Sequence, residues 1–155
     1  MEKLIELYKK WAGEAPVDVI KLAGQGSNRQ YFRIIQQDGG TVIGVIGTSR
    51  DEDHAFIYLA NHFNLRQLPV PKVLAVSDDE LCYIQTDLGG TSLFDAIRGG
   101  REAGGRYNQK EKDLLKKTIR ELPNIQIRGA RGLEWENCYP QPEFDVDSVL
   151  FDLNH

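Results

Sequence analysis

Residues 22–34 read LAGQGSNRQYFRI: two glycines around one residue, small polar side chains, an arginine, then an aromatic, β-prone run. A glycine-rich turn of this kind can bring bare backbone N–H groups close to nucleotide phosphates. The same glycines also suit a plain turn between two strands, because glycine adopts positive φ without steric cost. Two other phosphate signatures are excluded. The dinucleotide fingerprint needs a helix directly after its glycines, and a strand-like run follows here. The Walker loop needs Gly-Lys followed by Ser or Thr, which the chain lacks.

The remaining chemistry-bearing residues are scattered. Cys82, Cys138, His54, His62 and His155 make no zinc spacing. Two distant thiols, behind an N-terminus (MEKLIELYKKW) without an apolar export segment, predict a reduced, cytoplasmic protein. The acidic pairs Asp51/Asp53 and Asp145/Asp147 read as helix-start signals. A formal net charge of −4 argues against a dedicated nucleic-acid binder, which needs a basic surface. The basic residues Arg101, Arg106, Lys110, Lys112, Lys116, Lys117 and Arg120 read as a solvated helix face beside a loop. No apolar run approaches the roughly 18–20 residues that span a bilayer, so no membrane partner is expected.

The elements that must position the glycine turn can be read from periodicity. At 155 residues and 41% hydrophobic, the chain suits one domain, or one piece of something larger. Leu4, Leu7, Tyr8 and Trp11 recur at helical spacing, with Gly13 placed as a C-cap. The runs 17–22, 30–36 and 41–47 are β-branched and aromatic, broken by the glycine turn and by Asp38-Gly39-Gly40, a hairpin signal. Asp51 caps a following helix whose Phe56, Leu59, Ala60 and Phe63 share a face. LPVPKVLAVS (68–77) and LCYIQ (81–85) predict two further strands, separated by a turn at Asp78-Asp79. All five strands are expected in one antiparallel sheet in chain order, with the 51–64 helix packed through Phe56, Leu59 and Phe63.

Beyond residue 86 the character changes to helix. Ser92 with Asp95, and Asn108 with Glu111, make capping pairs, the second for a helix ending near Leu122-Pro123. The glycine-rich 99–108 stretch predicts a loop, and 124–143 predicts irregular chain. FDVDSVLFDLNH starts like a capped helix and stops after about two turns. A soft boundary near residue 88 divides a strand-rich part from a helix-rich one.

Taken together, GQGSNRQYFRI, LPVPKVLAVSDDELCYIQTDLGG and FDVDSVLFDLNH resemble the aminoglycoside phosphotransferase and choline kinase superfamily. The bacterial amino-sugar (N-acetylmuramate and N-acetylglucosamine) kinase branch is the nearest in kind. The resemblance implies an α+β fold: a protein-kinase-like N-terminal lobe of five antiparallel strands plus a helix, then the first helices of a truncated C-terminal lobe. Residues 1–88 would be the nucleotide-binding lobe and hinge, and 89–155 an incomplete helical segment. Gly24, Gln25, Gly26, Ser27 and Asn28 would cover the triphosphate, with Arg29 reaching it. Gln85, Thr86, Asp87 and Leu88 would be the hinge whose backbone holds adenine's edge. Ile43, with Val19 or Leu22, would stack on adenine, although each also suits an ordinary core. The implied cofactors are ATP and Mg2+, with a sugar or amino-sugar hydroxyl as acceptor.

Two family features have no match. Strand-three lysine is missing from TVIGVIG, so Arg29, Lys21 or Arg33 would have to serve as the phosphate cation. Glu52 is the nearest candidate for the helix glutamate that pairs with it, and as a helix-start residue it equally suits a favourable dipole contact. The HGDxxxxN-like catalytic loop and later metal-binding aspartate are matched nowhere, so no catalytic or metal residue is expected in this chain. The chain alone would then be inactive, with its apolar C-terminal end free to self-associate. The alternative is a pseudokinase-like module that holds nucleotide or a partner without chemistry.

Overall fold

The computed structural model describes residues 1–23, 28–141 and 145–153. Helix α1 (Glu2–Ala12) buries Leu4, Leu7 and Tyr8 and ends at Gly13, whose φ of 79° lets its N–H bond the Lys9 carbonyl. Trp11, on the same predicted face, remains 37% exposed at the rim. Strands β1 (Asp18–Lys21), β2 (Gln30–Ile35) and β3 (Thr41–Ile46) are antiparallel neighbours. Asp38 closes the second turn by accepting from the Gly40 N–H, with Gly39 at φ 82°. Helix α2 (Arg50–Leu65) follows, capped by the Ser49 hydroxyl, then β4 (Val73–Val76) and β5 (Cys82–Thr86).

The sheet is antiparallel throughout, but its order is β1-β2-β3-β5-β4 rather than chain order. Burial explains the exchange. Cys82, Tyr83 and Ile84 of β5 are buried on both faces, which an interior strand requires. β4 is only half-buried and follows Pro69 and Pro71, which suits an edge.

Strand alternation sends residues to two separate cores. On one face α1 packs through Leu4, Leu7 and Tyr8 against Phe32, Ile34, Val42, Cys82 and Ile84. Gly44 allows this approach, since a Cβ there would lie 2.8 Å from the Leu4 methyls. On the other face Ile57 and Phe56 of α2 meet Ile43, Val45 and Tyr83, with Phe56 stacked on Tyr83 at 5.1 Å between centroids.

The expected packing face of α2 is therefore corrected. Leu59 and Phe63 are only half-buried, whereas Asp53, Ile57 and Ala60 are buried along one stripe, and Ala55 and His62 are buried too. Helix α2 is covered from more than one side. Residues 128–137 run along it, with a buried His62–Gly129 carbonyl contact of 2.7 Å and a Glu134 N–H to Tyr58 hydroxyl bond.

The helical remainder is α3 (Leu93–Ala96), α4 (Arg98–Glu102), α5 (Gln109–Pro123) and α6 (Val146–Leu153). Both predicted capping pairs form, Ser92 with the Asp95 N–H and the full Asn108–Glu111 box. The predicted loop at 99–108 begins instead inside α4, because Gly100 is buried and its N–H donates to Glu111 at 2.9 Å. A Cβ at Gly100 would lie 2.2 Å from Tyr107, so glycine serves packing there. After Pro123 the backbone continues as a π-helical turn (Asn124–Arg128), where irregular chain was expected. Among the described residues no helix is long and apolar enough to cross a membrane.

Candidate functional site

Arg29 is the first functional candidate that the structure describes in detail, directly ahead of β2. Gly24, Gln25, Gly26 and Ser27 lie outside the described residues, and Asn28 is exposed. The Arg29 Nε donates to Asp53 Oδ1 at 2.7 Å, and Nη2 donates to the Glu52 carbonyl at 2.9 Å. Nη2 is also 3.1 Å from Glu52 Oε1. Its guanidinium carbon lies 5.4 Å from the centre of the Phe56 ring. A cation entering the sheet is thus tied to the first turn of the helix that follows β3.

Asp53 is buried deeply, with its side chain 1% exposed, against 38% for Glu52. Its Oδ2 is buried without a hydrogen-bond partner. Burial pushes the Asp53 pKa up, opposed by its hydrogen bond and charge contact with Arg29. Gly47 makes room for this carboxylate: a Cβ at that position would fall 1.5 Å from Oδ2. The reading of Asp53 as only a helix-start signal is corrected, because its carboxylate faces into the protein. A signal was present in the sequence: Asp53, Ile57 and Ala60 share helical spacing, placing one acid on an apolar stripe.

The adenine candidates fall on two faces of the sheet. Register pairs Ile20 with Arg33, Arg33 with Ile43, Ile43 with Gln85, and Gln85 with Val73, one row across all five strands. Leu22, whose N–H donates to the Tyr31 carbonyl, belongs with Tyr31, Val45 and Tyr83 in the adjacent row. Val19 pairs with Ile34 and packs in the α1-side core. The sheet itself therefore separates Val19 from Ile43, and the choice between Val19 and Leu22 goes to Leu22. Gln85 brings a buried Oε1 without a partner to the same row as Ile43.

The hinge candidates are less uniform than expected. Thr86 spends its N–H on the Lys72 carbonyl, and its hydroxyl accepts from the Lys72 N–H. Asp87 accepts from Arg33 Nε at 2.6 Å, Arg33 Nη2 at 3.1 Å, the Thr41 hydroxyl and the Gly89 N–H. The Arg33 hydrogen bond holds its carboxyl at about 2, well below the ordinary range. Arg33 is thus a strut from β2 to the residue after β5, and not only a solvated strand residue. Leu88 is 72% exposed.

Lys21, the other candidate cation, is exposed at the end of β1. Among the described residues no group of three or more His, Cys, Asp or Glu side chains could hold a metal ion. No protein-family model matches the chain, and no curated protein matches it.

Proposed function

We propose that this chain is the nucleotide-binding part of an ATP-dependent small-molecule phosphotransferase of protein-kinase-like fold, acting on a sugar or amino-sugar hydroxyl. One observation carries the reading. Arg29, which follows the Gly-Gln-Gly-Ser sequence closely, is held by Glu52 and Asp53 in the first turn of the helix after β3. Kinase-like sites need a cation near the α- and β-phosphates, secured by a helix carboxylate, and normally take it from strand three. Here β3 has none, and an arginine just ahead of the neighbouring strand meets the same helix.

The rest of the geometry is consistent with this. Strand, strand, strand, helix, strand, strand is the element order that the resemblance implies. Leu22, Ile43 and Gln85 share the sheet face that carries α2, on which a base could lie beside the end of β5. In phosphoryl transfer the protein mainly positions groups and stabilises charge, which Arg29 and the glycine-turn amides would do for the nucleotide. No stretch of the sequence supplies the base or metal-binding carboxylates, so the reading assigns catalysis to a further lobe and no turnover to this chain alone. A non-catalytic module draws on the missing strand lysine, and the Arg29 pairing weakens that argument.

The test is an amide-resolved titration of the chain with Mg-ATP. Shifts should concentrate at Gly24–Arg29, Leu22, Ile43 and Gln85–Leu88. No shift at saturating nucleotide would overturn the reading. Translation of the source DNA past codon 155 offers an independent check, through the presence of a His-x-Asp catalytic loop.

A further inference from the structure

Resting on that reading, we infer that Asp53, seated against Gly47, is the positioning residue that sets Arg29 for the nucleotide's phosphates. Glu52 is the residue a sequence comparison would choose, because it stands at the helix start and carries the glutamate side chain. The geometry favours its neighbour. Asp53 meets the guanidinium at 2.7 Å from a side chain only 1% exposed, so its ion pair is shielded from solvent and salt. Glu52 contributes a half-exposed carboxylate at 3.1 Å and a backbone carbonyl that any residue would supply.

Three further features point the same way. Gly47 lies just after β3, where a Cβ would overlap Asp53 Oδ2, so the end of that strand is shaped around the carboxylate. The Phe56 ring lies beside the Arg29 guanidinium and stacks on Tyr83, which limits sideways movement of the cation. Asp53 Oδ2 remains buried without a partner, a cost that a purely structural capping residue has no reason to bear. The arrangement ties the residue that enters β2 to the first turn of α2.

The experiment compares Mg-ATP, Mg-ADP and adenosine in two-dimensional NMR titrations, which read weak binding, with thermal melting to confirm folding. Asp53→Asn should weaken ATP and ADP by about tenfold or more while adenosine stays within about twofold, because only the phosphates meet Arg29. Arg29→Gln should give the same phosphate-selective loss. The double variant should bind ATP no worse than Arg29→Gln alone, the signature of one residue acting through another. Glu52→Gln should cost less than about threefold, given its exposure. Gly47→Ala, which keeps both charges and only displaces the carboxylate, is the second probe should Asp53→Asn fold poorly, and it should reproduce the selective loss.

A folded Asp53→Asn that binds ATP like the parent would overturn this inference and leave the nucleotide reading standing. Equal losses for ATP and adenosine, or additive effects of the Arg29 and Asp53 changes, would overturn it too. A parent chain that binds none of the three ligands would instead remove the nucleotide reading, and this inference with it.

Discussion

At the start of α5, Glu111 is buried with both carboxylate oxygens satisfied, by the N–H groups of Gly100 and Asn108. At the start of α2, Asp53 is buried with one oxygen on Arg29 and the other without a partner. Both acids occupy a first helical turn, where the dipole favours a negative charge. Glu111 finds its donors within a dozen residues of chain and completes a capping box. Asp53 reaches the residue ahead of β2 and leaves part of its bonding capacity unused. Glu111 is closed within its own helix start, whereas Asp53 joins two elements through a cation 24 residues away.

The comparison can be broken first at Asp53. Asp53→Ala removes the buried partner of the Arg29 Nε, leaving the guanidinium to Glu52, and should cost about 2–4 kcal/mol of stability, measured by urea unfolding. A loss below about 1 kcal/mol would show that Arg29 finds solvent without Asp53. Glu111→Ala should come next, at about 1–3 kcal/mol, since it leaves the buried Gly100 N–H without an acceptor. Unlike Asp53→Ala, it should leave nucleotide titration shifts unchanged.

Asp87 sharpens the contrast through pH. Its folded pKa of about 2 lies below the unfolded value of about 3.9, so its ionised form favours the folded state. The stability it adds is fully present above pH ~4 and is lost as pH falls through ~2. Asp87→Asn should therefore cost about 1–2 kcal/mol at neutral pH, with the difference from the parent vanishing near pH 2 in acid-unfolding curves. Asp53 has the opposite sign. Its pKa is raised by burial, so its titration contributes stability below the ordinary carboxylate range, lost as pH rises through the folded value. The smallest effect expected is that of Glu52→Gln, about 0.5 kcal/mol or less, because its ion pair is half-exposed and screened.

Much of the local structure was legible in the residues themselves. The αL glycine ending α1, the Asp38-Gly39-Gly40 turn, the Ser92 cap and the Asn108–Glu111 box each involve groups within a few positions of one another. Strand identity followed from the β-branched and aromatic runs and the turns between them. The position of β5 between β3 and β4 was not legible, because hydrogen-bond pairing between strands leaves no periodic trace in either. The 99–108 stretch misled for a related reason: its glycines signal a loop locally, while Gly100 answers to close packing against Tyr107.

What the sequence determined by itself was an α+β chain with five strands, the caps of α1, α3 and α5, and the Asp38-Gly39-Gly40 turn. Those depend on short-range propensity and on burial patterns that repeat along one element. Tertiary structure alone decided that Arg29 meets Asp53, that Arg33 is spent on Asp87, and that Leu22 rather than Val19 shares a face with Ile43. Each joins residues 24 or 54 positions apart or turns on which face a strand presents, and a charge carries no record in sequence of the partner that folding will give it.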